Sequence, residues 1–381
     1  MARIVLGSYM VRYPLGGNLS WALQYVLGFH RLGHEVYFVE NAGYPQSCFD
    51  PARQVMSDDC TYGVEAVASL FKRYGLEGRW CYVDAAGEAH GISRSSIDAT
   101  IASADAFIDM GTHGAWLEHA QTAGVRVQID GLPGFTQIKM ANDLERGGTI
   151  LNYDFYYTNG MNIGQENCSA PTAGVRWGHV LHPVVCDIFD VQPPPPDAPF
   201  TTVMNWQSDD PVVYRGTSYG QKDVEFEKFF DLPSRTSVPL ELAVAGSRVP
   251  KDRLIENGWR LRSGHEVTMT YDDFVGYVNA SRGELSIARN AFVAANTAWF
   301  SDRGTAYLAC GRPVVQQETG FSEHLPCGEG LFAVNDAADA AAAIGTICGD
   351  YDRHSRRARE IARDCLDASV VLKRFLSEIG I

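Results

Sequence analysis

Leu19, Ala22, Leu23, Val26 and Leu27 recur at the i, i+3, i+4 spacing of one helical face, and Gly33 ends the stripe. Short apolar runs flank it, Ile4 to Leu6 before and Val36 to Val39 after. Between the first run and the helix lies a loop, Gly7 to Asn18, in which Gly16 and Gly17 are adjacent. Strand, glycine loop, helix and strand make a βαβ unit, which predicts a parallel sheet and an α/β fold. The pattern continues with helices around Val64 to Tyr74 and Ser96 to Ser103. Strands are predicted at Trp80 to Val83, Ala106 to Met110, Val125 to Ile129 and Tyr153 to Tyr157. A proline run, Pro193 to Pro196, then reads as a stiff linker. Beyond it a second α/β pattern begins, with strands at Phe200 to Met204, Leu240 to Val244 and Leu285 to Ile287. Its helices are predicted at Val224 to Phe230, at Tyr271 to Ala280 and from Asp336. A closing helix carries Ile361, Cys365, Ala368, Leu372 and Phe375 on one face. The boundaries are therefore residues 1–190, a linker at 191–199, residues 200–360, and the last helix at 361–381.

Open parallel sheets bind ligands past the carboxyl ends of their strands. Two polar clusters of the first half fall there, Gly111-Thr112-His113-Gly114 and Asp130-Gly131-Leu132-Pro133-Gly134. His113 and Asp130 are candidates for a general base or a sugar contact, or else for a helix cap and a turn start. Gly16, Gly17 and Asn18 either wall a substrate cleft or simply give clearance between loop and helix; they do not fit G-x-G-x-x-G. In the second half, Gly246-Ser247-Arg248 follows a strand, with Lys251 nearby. A glycine and cations at that place can meet a phosphate.

The stretch from Ser301 to Glu323 is the most informative. Ser301 or Asp302 can cap a helix whose first turn holds Arg303, Gly304 and Thr305. Gly311 and Pro313 stop it before a strand at Val314. Free amides at a helix start, with a guanidinium beside them, suit a diphosphate.

Composition narrows the classes. At 381 residues, two domains are the better prior. A net charge of −14 argues against nucleic acid as a partner and means that an anionic ligand is held locally. Nine scattered cysteines without a C-x-x-C pair argue for reduced thiols, and against zinc or disulfides. No run of about 18 apolar residues suggests a membrane span, and MARIVLGSYM reads as a core strand rather than a signal peptide. A cytoplasmic protein is the expectation.

YPLGGNLSWALQYVLGFHRLGHEVYFVE resembles the opening of the GT-B glycosyltransferases, and AYLACGRPVVQQETGFSEHLP resembles their nucleotide-sugar segment. The resemblance implies two Rossmann-like domains facing across a cleft, acceptor on the first and nucleotide-diphosphate sugar on the second, with the closing helix packing back toward the first. It implies donor contacts from Arg248, Lys251, Glu284, Ser301, Asp302, Arg303, Gly304 and Thr305, with Arg289 facing the base or the diphosphate. Thr319, Gly320, Phe321, Ser322 and Glu323 would sit by the donor sugar. Asp130 or His113 would be the base if the reaction inverts, and Gly16, Gly17, Asn18, Gly131 and Gly134 would line the acceptor side. Retaining relatives carry two glutamates spaced E-x7-E, where this chain has Ala298 and Ala306; Asp302, Glu318 and Glu323 are substitutes. No D-x-D pair stands at a strand end, so neither a metal nor another cofactor is expected. The acceptor would be a carbohydrate or small molecule, stacked on residues such as Tyr9, Tyr13, Trp21, Tyr44 or Trp116. A nucleotide-sugar epimerase and a non-catalytic sugar-nucleotide binder are the alternatives.

Overall fold

The computed structural model describes residues 1–381. Its first half is built on an eight-stranded sheet. From one edge the strands run Trp177–His179, Phe155–Thr158, Val125–Asp130, Ala106–Asp109, Arg3–Gly7, Glu35–Asn41, Trp80–Val83 and Ala89–Gly91. All neighbours pair in parallel except the last two. Ile4, Val5 and Leu6 are wholly buried. That is why the first strand reads as an unbroken apolar run: a central parallel strand is covered on both faces.

The second half holds a six-stranded, all-parallel sheet. Its order is Arg260–Ser263, Leu240–Ala245, Phe200–Asn205, Gly283–Ser286, Val314–Gln317 and Leu331–Val334. This sheet buries polar side chains, among them Thr202, Glu284, Ser286 and Gln316.

The helix Gly16–Arg31 joins the halves. At its start the Gly16 amide donates to the Thr268 carbonyl at 2.7 Å. Nearby, Arg73 grips Asp272 with two bonds of 2.6 and 2.7 Å, and the Tyr62 hydroxyl donates to Met269 O at 3.0 Å. On the other side of the cleft the Asn162 amide donates to Thr297 O and Ser169 to Ala295 O. No helix is long and apolar enough to cross a membrane.

The closing segment differs from the single helix the stripe predicts. Tyr351–Ile361 runs into a wide turn at Ala362–Leu366, the chain extends at Asp367, and a separate helix, Ala368–Glu378, follows. The break has a cause. Val184 N bonds Leu366 O and Ala368 N bonds Val184 O, so the chain crosses back to the first half there. The last helix then lies on Gly16–Arg31. A Cβ at Gly28 would come within 2.7 Å of Ala368 Cβ, which cannot swing aside, as well as 2.5 Å of Leu372 Cδ1, so glycine permits that approach. Two other predictions shift: the helix around Val224 is the short Lys222–Phe226, and the Tyr153 strand is Phe155–Thr158. Residues 191–199 contain neither helix nor strand.

Candidate active site

A cavity of about 670 Å³ opens between the two sheets. Its walls follow strand ends on both sides, as open α/β sheets dictate. The first half contributes Tyr9, Gly17, Asn18, Trp21, Gly111, His113, Asp130, Gly131 and His182; the second contributes Asn205, Lys222, Arg289, Trp299, Asp302 and Arg303.

The second-half wall is cationic. Lys222 is buried and has no ion-pair partner, and burial together with Arg303 and Arg289 pushes its ammonium well below the usual lysine range. Arg289 is tied to Asp209 at 2.8 Å. Arg303 lies 3.4 Å from Glu284. Glu284 itself stands wholly buried on its strand, behind Arg303, with no hydrogen-bond partner for either oxygen. Burial raises it to about 7 against the pull of Arg303 and Lys222.

The helix Asp302–Ala309 starts at this wall, with Ser301 as its cap residue. The amides of Asp302, Arg303 and Gly304 have no acceptor in the protein. Ser301 donates its own amide to Gln316, but its buried hydroxyl is unpartnered. A Cβ on Gly304 would sit 3.2 Å from a Glu284 oxygen and 2.9 Å from Phe300. Glycine there lets the carboxylate reach the helix start.

Of the residues singled out in sequence, Gly17, Asn18, His113, Asp130, Gly131, Asp302 and Arg303 meet in the cavity. Several others do not. Arg248 and Lys251 are exposed outside it, Arg248 in a left-handed turn at φ 57° and Lys251 opening the helix Lys251–Glu256. Thr319 to Glu323 turn toward the seam between the halves. Thr319 donates its hydroxyl to Trp299 O, Gly320 is wedged between Asn162 and Asn296, Phe321 packs on Phe300, and Glu323 accepts from Asn167; Ser322 is exposed. Thr305 spends its hydroxyl on the Asp302 carbonyl. Gly16 and Gly134 are packing positions, Gly16 against Thr270 and Phe274 and Gly134 against Thr297 and Ala291.

The two candidate bases also change standing. Asp130 is buried and accepts from Leu132 N, Thr136 Oγ1, Gln137 Nε2 and Thr158 Oγ1 at 2.5 to 2.9 Å. A carboxylate so occupied orders its own loop rather than receiving a substrate proton. His113 sits on the exposed rim at φ 52°.

Two residues at the cavity escaped the sequence pattern. One is Lys222. The other is His182, buried, with neither ring nitrogen hydrogen-bonded within the protein. Burial lowers its imidazole, while Asp302 across the cavity pulls the other way.

No protein-family model matches the chain, and a search of curated proteins found no sequence relative. Solved structures do match. HepE of Anabaena, solved with UDP-glucose, superposes over 100% of both chains with a TM-score of 0.57 at 13% identity. Sucrose-phosphate synthase of Thermosynechococcus elongatus covers 100% of this chain and 99% of its own, with a TM-score of 0.52 at 12% identity. An α-glucosyltransferase solved with UDP and a mismatched 13-mer DNA covers both chains fully, with a TM-score of 0.57 at 12% identity. The fold is GT-B.

In GT-B terms the two sheets are the facing Rossmann-like domains and the cavity is the interdomain cleft. Ala298 and Ala306, in register with the glutamates of the E-x7-E pattern, are both buried, and Ala298 is held at φ 57°. Neither lines the GT-B cleft; Asp302 is the carboxylate of this helix that does.

Proposed function

We propose that the protein is a glycosyltransferase that moves a sugar from a nucleotide-diphosphate donor to a carbohydrate or small-molecule acceptor. The observation that carries this reading is the grouping of Lys222, Arg289, Asp302 and Arg303 on one cavity wall, with the free amides of Asp302 and Arg303 among them. Buried cations and fixed amides stabilise the charge that grows on a departing diphosphate without moving to do so. The neighbours solved with UDP or UDP-glucose make a uridine donor the first to try. The acceptor enters from the first half, where Tyr9 and Trp21 stand 5.7 Å apart and offer a stacking face. The net charge of −14 disfavours a nucleic-acid acceptor.

In the transfer, the bond from the anomeric carbon to the diphosphate oxygen breaks and one from the acceptor oxygen to that carbon forms. His182 is the neutral imidazole placed to take the acceptor proton, and Asp302 supports the imidazolium that results. Full-length protein is screened by thermal shift with nucleotides and nucleotide sugars, then by nucleotide release with an acceptor panel. A donor that stabilises the protein, and whose turnover depends on acceptor, supports transfer. Isomerisation of the donor alone, or binding without any turnover, rejects it.

A further inference from the structure

A second group of reactive side chains lies away from the cleft. Cys60 directly precedes the helix Thr61–Arg73. Asp84 and His90 flank the turn that joins Trp80–Val83 to the antiparallel edge strand Ala89–Gly91. His90 Nε2 is 3.0 Å from Asp84 Oδ2 and 3.7 Å from Cys60 Sγ. The three ligand atoms all lie within 4.8 Å of one another. None of these residues lines the cleft.

We propose that Cys60, Asp84 and His90 bind a zinc ion that ties the small hairpin of strands Cys48–Asp50 and Val55–Ser57, just before Cys60, to the edge of the N-terminal sheet. Three observations converge. Zinc bonds of about 2.3 Å to sulfur and 2.0–2.2 Å to nitrogen and oxygen, at tetrahedral angles, set neighbouring ligand atoms roughly 3.3 to 3.6 Å apart. The two His90 distances straddle that range. Next, a single ring nitrogen faces both a thiol and a carboxylate. One proton on Nε2 can serve only one of them, whereas a cation at the centre serves all three. Last, the other Asp84 oxygen is already fixed by the amides of Ala86 and Glu88, both at 2.9 Å. That bonding holds Oδ2 toward the cluster, as outer-shell contacts do around bound metals.

Half-buried side chains at Asp84 and His90 give the ion a way in. Cys48 is a neighbour, not a ligand: its thiol is engaged with the Tyr82 hydroxyl at 3.1 Å, and water completes the coordination. A thiol ligates zinc only as the thiolate, so binding releases the Cys60 proton and strengthens as pH rises. No C-x-x-C spacing announces the site because its ligands come from separate segments.

Tag-free full-length protein, stripped with chelator, is titrated with Co²⁺ alone and then with Zn²⁺ alone. One equivalent of Co²⁺ is expected to give a thiolate charge-transfer band and tetrahedral d–d bands, both erased by Zn²⁺, and Zn²⁺ should raise the melting temperature. Cys60→Ser loses the charge-transfer band and His90→Gln loses stoichiometric binding. Cys48→Ser and Cys327→Ser, an exposed thiol elsewhere, keep both. A wild-type protein without stoichiometric metal or without the thiolate band overturns the proposal even if the variants misfold. So does a band that survives Cys60→Ser, or one that vanishes in Cys48→Ser.

Discussion

The Glu284 carboxylate and the Arg303 guanidinium face each other at 3.4 Å without a well-formed hydrogen bond, at the base of the cationic wall. Burial holds Glu284 up at about 7, so this carboxyl takes up a proton when negative charge arrives beside it. Donor binding is therefore expected to absorb protons near pH 7 and to weaken as pH rises through that value. For the free protein, a carboxyl raised from 4.5 to about 7 contributes stability that is complete below about 4.5 and lost as pH rises through about 7. Glu284→Gln should flatten both dependences. Calorimetry in buffers of different ionisation enthalpy reads the proton count, and proton release on donor binding would contradict the arrangement.

Lys222 and Arg303 each offer a charge-assisted contact to the diphosphate. Lys222→Met or Arg303→Ala is expected to cost about 1.5–3 kcal/mol, or roughly ten- to a hundredfold in donor affinity. Arg248→Ala and Lys251→Ala, both outside the cavity, should stay within about 0.5 kcal/mol of the parent. Titration calorimetry with the donor nucleotide separates the pairs. Equal losses at all four positions would remove the cationic wall from the mechanism.

His182 has unpartnered ring nitrogens and an imidazole that burial keeps neutral. His182→Gln should lower kcat by roughly 10²- to 10⁴-fold with little change in donor KM. The lowered imidazole also predicts an acid limb in kcat below the ordinary histidine range, absent from the variant. A variant whose pH profile keeps that limb would assign the base to another group.

The parts of the fold written locally were legible. The Leu19 to Leu27 stripe is the helix Gly16–Arg31, and Gly311 ends its helix in the left-handed conformation at φ 68°. What was not legible depends on how the two halves dock. Strand ends mark which edge of a sheet binds, but not which loop turns toward the cleft. Arg248 and Thr319 both follow strands in sequence, yet one points to solvent and the other to the seam. Lys222 lies on a helix of five residues, too short for a periodic stripe. His182 lies in irregular chain, where no pattern exists, and only its burial at the cavity with both ring nitrogens unpartnered singles it out.

Docking itself can be tested at two adjacent glycines. A Cβ on Gly16 would fall 2.2 Å from the Thr270 carbonyl oxygen and 2.6 Å from Phe274 Cβ. Neither neighbour can swing away, so Gly16→Ala forces the first helix off the second half. Overpacking of this kind costs about 1–3 kcal/mol. The same substitution at Gly17, where the nearest atom is Phe274 Cε2 at 3.9 Å, meets only ordinary contact. Alanine there gains helix propensity of up to about 1 kcal/mol. Thermal melts should therefore move in opposite directions for the two variants. Because Gly17 and Thr268 line the cavity beside the strained contact, Gly16→Ala should also raise the donor KM. A Gly16→Ala protein melting at or above the parent would show that the halves are not held at this seam.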